Sequence, residues 1–222
     1  KQWKHLEDII SKLFMDIIKE VCVDNIRDAM NAVKLGADRI EFCSKLDRDG
    51  LTPKTEDLIS IKKIVQCPIR VMVRPHSRTF VYSEQDLKEM KKTINICKQH
   101  NFDGVVFGCL NANMELDIKK IKYLTELSKP LKVIIHKAID LTSSPLNSLE
   151  QLIEIKQING VLSSGGKETA EHGLNNLKKM IAISPPQFEI ISAGKITNKN
   201  LDHLHEKIQG KFYHGKKIVG KL

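Results

Sequence analysis

Two rhythms of apolar residues take turns along the chain. Short runs in which alternate residues share a face predict strands, and stretches with apolar residues three and four apart predict helices. The first strand reads Ile17 to Val23. A helix follows with Ile26, Ala29, Met30 and Val33 on one face and Asn25 as N-cap, and Gly36 ends it. The second strand is Arg39 to Cys43, and its helix carries Leu58, Ile61, Ile64 and Val65. The third, Ile69 to Arg74, stops at Pro75, and the next helix opens on the capping-box pattern Ser83-Glu84-Gln85-Asp86. The fourth strand, Gly104 to Gly108, is apolar on both faces, as strands of covered parallel sheets are. Further strands fall at Leu131 to His136, Gly160 to Ser163, Phe188 to Ser192 and Lys211 to His214. The helices between them run from about Ile118, from Pro145 at a first helical position, from about Thr169 and from about Asn198.

Strands and helices in strict alternation imply a parallel sheet. No GxGxxG follows the first strand, which argues against an open dinucleotide-binding sheet. With 222 residues the chain suits one (β/α)₈ barrel of the TIM type. Residues 1–222 are therefore read as a single domain, with residues 1–15 as an N-terminal extension. Only Gly215 to Leu222 follow the last strand, too few for an eighth helix. The apolar stripe Leu6, Ile9, Ile10, Leu13 and Phe14 predicts a helix that covers the gap in its place.

Composition narrows the partners. No apolar run reaches the length of a membrane span, and charged residues interrupt the N-terminal apolar residues, unlike a secretory signal. The five cysteines include no CxxC pair, so reduced thiols in a cytoplasmic protein are expected. The net charge of +9 comes from lysines scattered over many segments, with one Trp and three Tyr for stacking. That pattern fits solvated helix faces better than a nucleic-acid stripe. The sequence leaves a homo-oligomer open.

In a barrel the chemistry sits at the carboxyl ends of the strands. Polar residues crowd there: Glu20, Arg39, Glu41, Arg74, His136, Asp140 and His214. Buried strand charges are costly unless paired, so a structural salt-bridge layer is one reading. The other is a site for a small anion, with Arg39 and Arg74 as clamp and His136 as general acid or base. Ser164, Gly165 and Gly166, opening a helix, and Gly194 after the seventh strand are candidate anion-binding backbone. Cys22 and Cys43 end consecutive strands, where two inward thiols could grip one soft ion, Cu(I) or Zn. Two ordinary buried cysteines are the plainer alternative.

The same residues resemble the CutC family. The resemblance is carried by Glu20-Val21-Cys22-Val23-Asp24, by Gly36 to Ser44 with its Arg39-Ile40-Glu41-Phe42-Cys43 core, and by Gly50-Leu51-Thr52-Pro53. It continues through Val71 to Pro75, Asp103 to Gly108, His136 to Asp140, Leu162 to Gly166 and Tyr213-His214. It implies a (β/α)₈ barrel, a cytoplasmic location and copper homeostasis with copper binding. The family's polar set would fall on Glu20, Arg39, Glu41, Arg74, His136, Asp140, Ser164 and His214, and its cysteines on Cys22 and Cys43.

Overall fold

The computed structural model describes residues 17–222. The helix expected over residues 6–14, and the extension over 1–15 to which it belongs, lie outside the described residues. Eight parallel strands close into a barrel in sequence order, β8 returning to pair with β1. They are β1 (Ile18–Val23), β2 (Arg39–Phe42), β3 (Ile69–Met72), β4 (Gly104–Phe107), β5 (Lys132–Ile135), β6 (Gly160–Ser163), β7 (Glu189–Ser192) and β8 (Phe212–His214). Helices α1 (Ile26–Lys34), α2 (Thr55–Ile64), α3 (Glu84–Gln99), α4 (Ile118–Ser128), α5 (Pro145–Ile153), α6 (Leu174–Ile183) and α7 (Leu201–Ile208) fill the connections. The chain is thus a TIM-type barrel. After β8 the chain packs back on itself, burying Ile218 and bridging Lys217 to Thr197.

Local signals start the helices where the sequence puts them. Asn25 caps α1 by accepting from the Asp28 amide, and Ser83 and Asp86 close a reciprocal capping box on α3. Pro145 occupies the first turn of α5, where its missing N–H costs nothing. Two expectations fail. Met30, grouped on one face with Ile26, Ala29 and Val33, and Ile64, counted in the apolar set of its helix, are exposed. In α1 the buried positions are the small Ala29 and Ala32, which turns Met30 to solvent. Nor does α6 begin at Thr169. Residues 169–173 form turns tied under the loop after β7, with the Ala170 amide donating to the Gly194 carbonyl, so the helix starts at Leu174.

Strand alternation builds two cores. One face of each strand packs against the helices, through residues such as Val21, Ile40, Val71, Val105 and Ile135. The other fills the barrel with Cys43, Met72, Val106, Ile134, Leu162 and Ile191. A charged floor also lies inside the barrel. Arg70, wholly buried, makes two hydrogen bonds to Glu189 at 2.8 and 2.9 Å and meets Asp103 at 3.3 Å and Glu20 at 3.6 Å. Arg39 reaches Glu20 and, at 3.2 Å, Glu189.

Candidate functional site

A cavity of about 850 Å³ opens at the carboxyl ends of the strands. Cys22, Glu41, Arg74, His136, Asp140 and His214 line it. They come from β1, β2, β8 and the segments after β3 and β5, which is why residues far apart in sequence meet. Glu20 and Arg39 are drawn instead into the floor network with Arg70 and Glu189.

Arg74 is held from behind. Its Nη1 donates to the carbonyls of Arg48, Asp49 and Gly50 at 3.1 to 3.2 Å, and its guanidinium lies 4.6 Å from the Phe80 ring centre. Its Nε is buried and has no hydrogen-bond partner among the described residues. The other contact of Phe80 is His136, with ring centroids 4.7 Å apart. Gly108 leaves room for the imidazole, since a Cβ there would sit 2.8 Å from two ring atoms. Burial, with the positive charge of Arg74, pushes the His136 pKa down to about 3, so the ring is neutral. The Ala138 amide donates to His136 Nδ1 at 3.2 Å. A neutral imidazole that accepts at Nδ1 carries its proton on Nε2. Nε2 is buried and has no hydrogen-bond partner among the described residues. In that form His136 presents an N–H, not a lone pair, at Nε2.

A second cluster joins β1, β2 and β8. His214 Nδ1 lies 2.9 Å from Glu20 and 3.9 Å from Glu41 Oε2, a separation too long for a hydrogen bond. One atom from each of the three residues lies within 4.8 Å of the others, a spacing a metal ion could bridge. Burial alone would disfavour a charged His214, but Cys22, Glu41 and Glu20 hold its pKa well above the ordinary histidine value. Glu20 is also buried, yet Arg39, His214 and Arg70 keep it ionised far below the usual carboxylate range. Burial raises Glu41 to about 7 against the pull of His214, and its Oε2 has no hydrogen-bond partner among the described residues.

The remaining sequence candidates are otherwise engaged. Asp140 accepts from the amides of Ser164 and Gly166 at 2.8 Å and from the hydroxyls of Ser163 and Ser164 at 2.5 and 2.9 Å. The loop after β6 does bind an anion, and the anion is the chain's own carboxylate. The Gly165 amide is taken by Ser163 Oγ. Gly194, at φ +105°, packs so close to Ser164 and Ala170 that a Cβ would come within 2.8 Å of each. Cys22 lines the cavity, while the buried Cys43 thiol donates to the Val23 carbonyl at 3.3 Å. Burial, then the nearby Glu41, pushes the Cys43 pKa far up and keeps the thiol protonated.

Sequence reasoning missed Arg70, Glu189 and Phe80. Arg70 had a signal, because it shares a face with Met72 and Arg74 by strand alternation. Glu189 stands at a strand entrance and Phe80 in a loop, where no periodicity marks them.

Comparison with known proteins follows the same ground. A sequence profile of the CutC family matches residues 17–219. The human copper homeostasis protein cutC homolog is 36% identical over 189 residues, covering 85% of this chain and 69% of that protein. A CutC family protein of Mesorhizobium japonicum is 35% identical over 188 residues, 85% of this chain and 72% of its own length. The crystal structure of a CutC protein from Streptococcus agalactiae superposes with a TM-score of 0.85 at 25% identity, covering 91% of this chain and 99% of that one. An N-acetylneuraminate lyase from Mycoplasma synoviae, at 11% identity and a TM-score of 0.61 over 94% of this chain and 71% of that one, shares the barrel alone. With the profile spanning the whole barrel and more than a third of positions shared with the human homolog, this chain belongs to the CutC family, a family of copper homeostasis proteins.

Proposed function

We propose that this chain serves copper homeostasis in the cytoplasm by taking Cu(I) as cargo at the barrel mouth. The observation that carries the reading is Cys22, a thiol that lines the cavity beside the imidazole of His214. Sulfur and imidazole both suit copper, whereas the two carboxylates alone would suit harder ions. Cys43 would join as a second thiolate only by surrendering its proton and its bond to the Val23 carbonyl, and His214, held charged by its neighbours, would ligate only on losing its own proton. The test is a Cu(I) titration against a chromogenic Cu(I) chelator. One ion per chain is expected, with Cys22→Ser weakening binding at least tenfold and Cys67→Ser leaving it unchanged. Cys43→Ser decides whether the partner of Cys22 is a second thiolate or His214. Undiminished binding by Cys22→Ser sinks the reading.

A second reading rests on a separate observation. Three buried polar atoms, Arg74 Nε, His136 Nε2 and Glu41 Oε2, belong to residues of one cavity and have no hydrogen-bond partner among the described residues. Orphaned groups of that kind cost about 1–3 kcal/mol each, a cost that a bound ligand removes. Lys137, Lys167 and Lys216 also line the cavity, so the ligand would be a small anion. A thermal-shift screen of small carboxylates and phosphates tests this. A parent protein that no anion stabilises would refute it.

A further inference from the structure

Donors and acceptor at the mouth are not mixed but separated. Arg74 follows β3 and His136 follows β5, and the two flank Phe80, which touches both. Each offers one unsatisfied N–H, at Nε and Nε2. Glu41 projects from β2, three strands around the ring from β5, and offers one unsatisfied carboxylate oxygen. All three residues line the same cavity and are at most 5% exposed. Fixed N–H groups in a water-poor site stabilise negative charge on oxygen, and a neutral imidazole can serve as such a group beside a glutamate base.

We infer that the mouth is an enolising site: it takes a small carbonyl compound bearing a carboxylate or phosphate, and Glu41 moves the proton on the carbon next to the carbonyl. This rests on the small-anion reading above and names its chemistry. The carbonyl oxygen sits between Arg74 Nε–H and His136 Nε2–H. Glu41 takes the α-proton, and the C–H electron pair becomes the C=C bond of an enolate. The carbonyl π pair moves onto oxygen, where the two N–H groups hold it. Glu41 then returns the proton to the same carbon, and the carbonyl re-forms. Nothing is oxidised or reduced, and no co-reactant is consumed. Lysines at the rim receive the anionic group, which leaves the reacting end of the molecule facing inward.

Two measurements test this on the whole chain. The first is calorimetric binding of oxalate and of 2-phosphoglycolate, planar mimics of an enolate carrying a carboxylate or a phosphate. Micromolar binding of one of them is expected, weakened at least thirtyfold in His136→Phe and in Arg74→Met. The stronger of the two probes identifies the anionic group. The second is exchange of α-hydrogen for deuterium in D₂O, followed by proton NMR, with pyruvate and dihydroxyacetone phosphate as probes. Exchange above the protein-free rate is expected for the parent, with a loss of at least a hundredfold in Glu41→Gln. Glu41→Asp, which keeps the carboxylate but shortens its reach, should retain a measurable remnant. Melting curves confirm that each variant is folded. Exchange with neither probe, or exchange that persists in Glu41→Gln, overturns the inference. If oxalate or 2-phosphoglycolate still binds in that case, the small-anion reading stands without it; if nothing binds, both fall.

Discussion

Arg70 and Arg74 stand four residues apart along β3 and the segment that follows it, and strand alternation points both into the barrel. Below, Arg70 is saturated: two bonds to Glu189, with Asp103 and Glu20 within 3.6 Å. Above, Arg74 gives one nitrogen to three loop carbonyls and keeps its Nε unpaired, with no salt bridge among the described residues. The floor matches positive with negative charge inside the fold, and of its groups Arg39 Nη2 alone has no hydrogen-bond partner among the described residues. The mouth carries polar groups that the fold positions but does not satisfy. A polar cluster at a barrel end therefore holds two kinds of residue, and counting charges does not separate them. The partner list does.

The largest effect expected from this contrast is on stability. Arg70→Met removes the cation from three carboxylates and leaves Glu189 and Glu20 underpaired inside the barrel. Breaking a buried pair from one side typically costs about 3–5 kcal/mol, and chemical denaturation should register a loss of that size. Arg74→Met forfeits its bonds to the loop carbonyls but also deletes an orphaned N–H, so a loss of about 1 kcal/mol is expected. If the two variants melt alike, the division into floor and mouth is wrong.

A smaller effect tests whether the loop after β6 belongs to the structure or to a ligand. Asp140→Ala would strip the amides of Ser164 and Gly166 and the Ser163 hydroxyl of their acceptor, while Ser164 Oγ keeps the Lys167 carbonyl. A cost of about 1–3 kcal/mol follows from leaving such donors unpaired. Inorganic phosphate in millimolar amounts should restore part of it by occupying the emptied nest, while the parent, whose nest is filled, should show no such recovery. Equal response of both proteins would mean that the loop takes phosphate whether or not Asp140 is present.

The fold was legible in the sequence because its rules are local. Alternation gave the strands, three-and-four spacing gave the helices, and Asn25, Ser83 and Pro145 marked where helices begin. Most of the mouth residues, Cys22, Glu41, Arg74, His136, Asp140 and His214, were legible for the same reason, whereas Glu20 and Arg39 fell in the floor. Their roles were not. Glu20 and Arg39 belong to the floor because Arg70 and Glu189 reach them from β3 and β7, contacts between residues far apart in the sequence. The nest of Ser164 and Gly166 binds Asp140 because a turn after β5 folds the carboxylate back across β6, and nothing in either motif announces the other. His136 stands at the end of its strand as expected. Its tautomer and neutrality come from Ala138, burial and Arg74, all of them properties of the assembled mouth.

The finest test of the contrast is the pH dependence contributed by His136. Its pKa falls from the model-compound value of 6.5 to about 3 on folding, through burial first and the charge of Arg74 second. Between those values the unfolded chain binds a proton that the folded chain refuses. Stability from the neutral ring is therefore fully present above pH 6.5 and is lost progressively as pH falls toward 3. One proton sets the steepest slope at about 1.4 kcal/mol per pH unit. His136→Phe removes that titration, so the plot of unfolding free energy against pH should flatten between pH 6.5 and 4 relative to the parent. Arg74→Met acts on the same group from outside. Without the neighbouring charge the folded pKa of His136 should move back toward 6.5, and the acid loss should begin at the same pH but end at a higher one. Floor residues take no part in this titration. A variant there that keeps the barrel folded, such as Arg39→Lys, should leave the acid limb attributed to His136 in place. An acid limb that is the same in the parent and in His136→Phe would show that the imidazole is not buried in neutral form, and with it would go the assignment of Nε2 as a donor.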